Sequence, residues 1–157
     1  LQTSDYLTTL TLIEQLRLFG SIYGANKNPL ELLGFVGLED KAGEVVQNLS
    51  GGQKQRFTIA TSLVNDPEII FLDEPTTGLH FEDIRVLMGV LNTLADKGNT
   101  VLIIEHNMDV IKLADYIIDI GMEGGKKGGE ILCKGTPEQI IKNKISYTAQ
   151  FLIKELS

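Results

Sequence analysis

The spacing of apolar residues changes along the chain, and each change predicts an element. Thr11, with Glu14 at capping-box spacing, opens a segment that places Ile13, Leu16, Phe19, Ile22 and Tyr23 on one helical face and closes at Gly24. Asn28-Pro29 starts a shorter helix carrying Leu30, Leu32, Leu33 and Val36, followed by a turn through Glu39, Asp40, Lys41 and Gly43. From Gly51 onward Phe57, Ala60, Leu63 and Val64 recur at helical spacing until Asn65-Asp66-Pro67, where the proline disfavours further helix. Residues 1–66 therefore read as a small helical subdomain.

Beyond it the pattern alternates between strand and helix. The continuous apolar run Ile69–Leu72 predicts a strand covered on both faces, as in parallel sheets. A helix on Phe81, Ile84, Leu87, Leu91 and Leu94 ends at Gly98-Asn99, and Thr100–Ile104 is a second buried strand. A helix over Met108–Ala114 and a third strand over Tyr116–Ile120 complete a β-α-β-α-β order, so residues 67–157 read as an α/β layered unit with a largely parallel sheet. Gly121–Gly129 holds five glycines in nine residues and reads as a hairpin turn into Ile131–Cys133. Thr136-Pro137 with Gln139 caps the next helix, and Ser146–Leu156 is a last amphipathic helix.

Composition narrows the class. With 157 residues, 43% of them apolar and 22% charged, the chain is long enough to bury a core and is neither disordered, collagen-like nor a coiled coil. A net charge of -7 without a dense basic run disfavours a free-standing nucleic-acid binder. The one cysteine, Cys133, excludes an intramolecular disulfide and any zinc site built from several cysteines. No apolar stretch approaches the ~20 residues that span a bilayer, and Leu1–Asp5 lacks a basic signal-peptide start, so a cytoplasmic chain without a membrane segment is expected.

Three short motifs carry candidate chemistry. Leu49-Ser50-Gly51-Gly52-Gln53 runs straight into a helix, whose unpaired N–H groups and glycine-opened backbone suit an anion; a plain serine cap is the alternative. Asp73-Glu74-Pro75 puts two carboxylates at the C-terminal end of a buried strand, where open α/β sheets bind ligands; these can hold magnesium and polarise water, or merely begin a polar loop. Glu105-His106 follows the second strand, and a histidine there can donate to a phosphate or be structural.

Together, Leu49–Arg56, Phe71–Leu79 and His106, in that order and spacing, resemble an ATP-binding cassette (ABC) ATPase. The resemblance implies a partial P-loop NTPase core that uses ATP and Mg2+. It makes Ser50, Gly51, Gly52 and Gln53 the signature loop that contacts the γ-phosphate of ATP held by an opposite cassette. It makes Asp73 the Walker B metal position, Glu74 the general base and Thr76–Leu79 the start of the D-loop. His106 becomes the switch histidine, and Gln2 the Q-loop glutamine beside the magnesium. A homodimer or a second cassette is the implied partner.

Two departures qualify this. The phosphate-binding pattern G-x-x-x-x-G-K-[ST] occurs nowhere in the sequence, so hydrolysis in isolation is not expected. Residues 1–79 resemble the cassette of an export-type ABC transporter, whereas residues 76–157, through Thr76–Phe81, Ile104–Asn107, Glu123–Gly125 and Tyr147-Thr148, resemble the C-terminal cassette of the UvrA family of excision repair. The expectation is a chimera or a fragment. Besides a truncated ABC ATPase domain, two readings stay open: a non-catalytic folding module, and a half-cassette that completes a partner's ATP site.

Overall fold

The computed structural model describes residues 7, 9–121 and 129–156, and the chain packs as two compact units, Leu1–Ile104 and Glu105–Ser157. The first unit contains α1 (Leu12–Tyr23), α2 (Pro29–Phe35), α3 (Gly51–Ser62), β1 (Ile69–Asp73), α4 (Phe81–Asp96) and β2 (Thr100–Ile104). Short 3-10 turns at Glu39–Lys41 and Val46–Asn48 bridge α2 and α3.

Helices α1, α2 and α3 start where side-chain caps place them, whereas α4 follows His80 without one. Thr11 and Glu14 form a reciprocal box, the Glu14 N–H reaching the Thr11 hydroxyl at 3.4 Å and the Thr11 N–H reaching the Glu14 carboxylate at 2.8 Å. Gly24, with φ of 65°, closes α1 in the left-handed region, and the Asn28 side chain with Pro29 opens α2. The buried faces converge on one core: Leu12 and Leu16 from α1, Leu32 and Leu33 from α2, Phe57, Ile59 and Ala60 from α3, and Leu87, Leu91 and Leu94 from α4. Because α3 packs against α4, the helical residues before 66 and the β-α-β residues after it share one unit, and the division falls after β2.

β1 and β2 pair in parallel register, Ile69 with Thr100 through Asp73 with Ile104. Their coverage departs from the sequence expectation. Ile70 and Leu72 are buried on one face, but Ile69, Phe71, Leu102 and Ile104 are exposed on the other, Phe71 at 71%. The runs are continuous as parallel strands require, yet among the described residues of the first unit only one side of the two-stranded sheet is covered.

The second unit contains α5 (Met108–Ile111), β3 (Ile117–Ile120), β4 (Ile131–Gly135), α6 (Pro137–Ile140) and α7 (Tyr147–Leu156). β3 and β4 pair antiparallel, as a hairpin requires, and form a sheet of their own, so β3 does not extend the parallel sheet as its place in the alternation suggested. Most of the glycine-rich turn, residues 122–128, lies outside the described residues. Ile117, Ile140, Ala149 and Leu152 form the core of this unit.

Candidate functional site

The glycine motif is built as a cap. Ser50 has extended backbone and its hydroxyl accepts from the Gln53 N–H at 3.2 Å, while the Gln53 side chain accepts from the Ser50 N–H at 2.9 Å. The α3 N-terminus is therefore ordered by its own side chains, with Ser50 and Gly51 exposed and Gly52 buried. Of the two glycines, only the second is required by a close neighbour. A Cβ on Gly51 would stand 3.5 Å from Leu79, and one on Gly52 would collide with Asp83 at 2.3–2.7 Å. The start of α3 thus lies against the segment that joins β1 to α4.

At its far side α3 is tied by Arg56, whose Nη1 donates to the carbonyls of Val36 at 2.6 Å and Gly37 at 3.1 Å. Its Nε is buried without a hydrogen-bond partner. Gly37 adopts φ of 65°, and a Cβ there would meet the guanidinium at 3.1 Å. Neither Arg56 nor Asp83 was singled out from sequence. A guanidinium three residues past Gln53 and an acid in the first turn of α4 are visible there, but their partners lie in distant segments.

The carboxylates stand at the C-terminal end of β1. Asp73 shares the open face of the sheet with Ile69 and Phe71, and both Asp73 and Glu74 are exposed. Glu74 has φ of 43°, a left-handed conformation unusual for a residue other than glycine, and it precedes Pro75, which further restricts it. Its N–H donates to Ile104 at 2.9 Å, extending the β1–β2 pairing by one bond beyond the strand. Pro75 and Thr76 are buried behind it.

The structure brings the glycine cap and the β1–α4 segment together within the first unit; Asp73 and Glu74 sit at the head of that segment. His106 belongs to the second unit, where the Glu105 carboxylate accepts from the N–H groups of His106 at 2.9 Å and Asn107 at 3.1 Å, and Asn107 caps α5. Gln2 lies outside the described residues. The second unit also holds a polar cluster that sequence reading missed: Asp119 accepts from the hydroxyls of Ser146 and, at 3.0 Å, Thr148, while the buried Ser146 hydroxyl accepts from the Ala149 N–H at 2.9 Å. This fixes the start of α7. Beside it, burial pushes the Cys133 thiol up, the Ser146 hydroxyl opposes this, and the Asp119 carboxylate adds to the rise.

A helix opened by Ser-Gly-Gly-Gln, set against the segment that follows a strand ending in Asp-Glu-Pro, matches one class. The ABC transporter family profile matches residues 2–77 of the chain, which is similar there to the ATP-binding cassette ATPases. Its similarity extends further to one member: UvrABC system protein A of Clostridium acetobutylicum is 48% identical over 156 residues, covering 97% of this chain and 16% of the relative. UvrA2 from Deinococcus radiodurans has the same fold, with a TM-score of 0.68 and 37% identity over 96% of this chain and 19% of that one. The ATP-binding cassette MJ0796, solved as a dimer bound to ADP and Pi, gives a TM-score of 0.62 at 31% identity over 75% of this chain and 55% of that one.

The chain thus spans about 16% of the length of the UvrA relative. That one relative covers residues 1–79 and 76–157 alike, so the two-branch pattern does not require two joined sources. Among the described residues no helix is long and apolar enough to cross a membrane.

Proposed function

We propose that the chain is part of a UvrA-like ATPase cassette and contributes to two faces of a composite ATP site. The observation that carries this is the end of β1. Asp73 and Glu74 are adjacent and exposed at the C-terminal edge of a parallel sheet, with Glu74 held in a backbone conformation that costs about 1–3 kcal/mol. Strain of that kind persists where the surrounding structure over-determines it, as two backbone bonds do here.

The donor set fits magnesium better than a resident metal. No group of three or more metal-ligating side chains occurs among the described residues, and Mg2+ is commonly held by one or two carboxylates with water and substrate phosphates. Asp73 would hold it, with Gln2 beside it, and the ion would supply charge neutralisation at the phosphates. Glu74 would accept a proton from the attacking water as general base. Ser50, Gly51, Gly52 and Gln53 would face the γ-phosphate of ATP carried by a second cassette or a second copy, a reading supported by the exposure of Ser50 and Gly51 at the start of α3. His106, at the switch position by the family resemblance, would donate to a γ-phosphate in its own right.

Calorimetric titration of the chain with ATP and Mg2+, followed by a phosphate-release assay, tests this. Saturable Mg2+-dependent binding is expected, weak because G-x-x-x-x-G-K-[ST] does not occur in the sequence. Glu74→Gln should keep the binding, and any turnover that the chain shows should fall by about 10²-fold or more. A folded chain that neither binds nor turns over ATP would overturn the reading.

A further inference from the structure

We infer that Thr77 is a positioning residue for the Glu74 carboxylate, an inference that rests on reading Glu74 as the general base. Two of the bonds that hold Glu74 come from Thr77. The Glu74 N–H is anchored on Ile104 at 2.9 Å, its carbonyl accepts from the Thr77 N–H at 3.2 Å, and its Oε2 accepts from the Thr77 hydroxyl at 3.2 Å. The backbone pair closes a turn over residues 74–77, and the side-chain pair folds the carboxylate back over that turn.

The arrangement answers a geometric problem. A residue that leaves a strand with φ of 43° no longer points its side chain along the alternation of the sheet, and a glutamate has three χ angles to set. A local donor narrows the places that the Glu74 carboxylate can take. Thr77 is such a donor: it lies three residues on, and the buried Pro75 and Thr76 seat the segment between them. As a β-branched residue Thr77 has a stiff χ1, so its hydroxyl is aimed more narrowly than a serine's would be. At 3.2 Å the contact is long for a hydroxyl and a carboxylate, so it selects a rotamer without locking it. The hydroxyl touches Glu74 and no reacting atom, which makes its role one of positioning.

The test compares the chain with Thr77→Val, which keeps the shape and removes the donor, and Thr77→Ser, which keeps the donor. Three-bond couplings from Glu74 Cγ to the backbone N and C′ report χ1 directly, with the amide spectrum as the control for folding. The native chain and Thr77→Ser should show one dominant χ1 state, and Thr77→Val an averaged one. An averaged Glu74 in the native chain, or a Glu74 unchanged by Thr77→Val, overturns the proposal. Turnover is the second readout: if Glu74 is the base, Thr77→Val lowers kcat about tenfold at unchanged KM and Thr77→Ser restores it, a fraction of the ~10²–10⁴ a positioned base supplies. A rotamer lost without change in turnover would leave the positioning intact and overturn the role of Glu74 as base, so the two failures are separable.

Discussion

Gly52 is buried at a point where no side chain fits. Its missing Cβ would lie 2.3 Å from Asp83 Oδ1 and 2.7 Å from Asp83 Cβ, so an added methyl presses on the root of the side chain and not only on its mobile end. Gly52→Ala should therefore push α3 and α4 apart and destabilise the first unit by about 1–3 kcal/mol, the usual cost of overpacking. Thermal or urea unfolding measures it. Asp83→Ala in the same background relieves the carboxylate clash but keeps the Cβ, so it should recover part of the loss; equal stability of Gly52→Ala and the native chain would show that the segments can separate freely. At this scale the sequence discloses which residues are unusual but not why. Two adjacent glycines at a helix start announce a close approach, and the exposed Gly51 and Ser50 fit a ligand-facing role. That Gly52 faces a protein neighbour depends on α4 folding back onto α3, and no local pattern contains that. Arg56 is the same case: its charge is plain in the sequence, whereas its two acceptors, the carbonyls of Val36 and Gly37, are backbone groups that carry no residue signature.

The helices were legible because their starts are local chemistry. Thr11 with Glu14 and Ser50 with Gln53 are reciprocal boxes in the structure, and the Gln139 side chain accepts from the Thr136 N–H at 3.0 Å, each pair joining residues three apart. The first of them makes a pH-dependent prediction. The Thr11 N–H, then the Thr11 hydroxyl, and to a lesser degree Arg17 hold the exposed Glu14 carboxyl below the ordinary glutamate value, against a small opposing effect of burial. A carboxyl depressed in the folded state contributes stability that is present above its unfolded pKa and is lost as pH falls through its folded pKa. The Glu14 side-chain carbon should thus titrate at lower pH than a glutamate in a peptide, with the Thr11 amide shift moving in step. Thr11→Ala removes the hydroxyl but keeps the N–H, so it should move the midpoint up only part of the way. A midpoint at the peptide value in the native chain would mean that the box is not closed in solution. Strands were legible in position but not in partnership. Ile69–Asp73 and Thr100–Ile104 pair as parallel neighbours because both are apolar runs joined through one helix, yet Ile117–Ile120 resembles them in pattern and pairs instead with Ile131–Gly135 across a short connection. Hairpin closure is the nearer solution for a strand followed by a glycine-rich turn.

For the whole molecule the open face of β1 and β2 decides behaviour in solution. A continuous apolar strand encodes two covered faces, but the covering layer on the second side is not encoded in either strand. Ile69, Phe71, Leu102 and Ile104 consequently meet water, and a two-stranded parallel sheet also leaves an unpaired edge on each strand. Parallel sheets are stable chiefly when both faces are buried, so the favoured response of the isolated chain is to bury this face against a second copy. Light scattering should then give a mass that rises with concentration above the 17.3 kDa of one chain. Phe71→Lys places a charge at the most exposed large apolar position of that face and should shift the equilibrium towards the single chain by about 1–3 kcal/mol, the burial worth of one aromatic side chain. Unfolding by urea at low protein concentration separates this from damage to the fold, since Phe71 contributes little to the buried core. The same substitution leaves Ser50–Gln53 and Glu74 untouched, so it also distinguishes two ways in which copies can meet. Association through the signature loop would be insensitive to Phe71→Lys and strengthened by ATP with Mg2+, whereas association through the sheet would be abolished by it and indifferent to nucleotide.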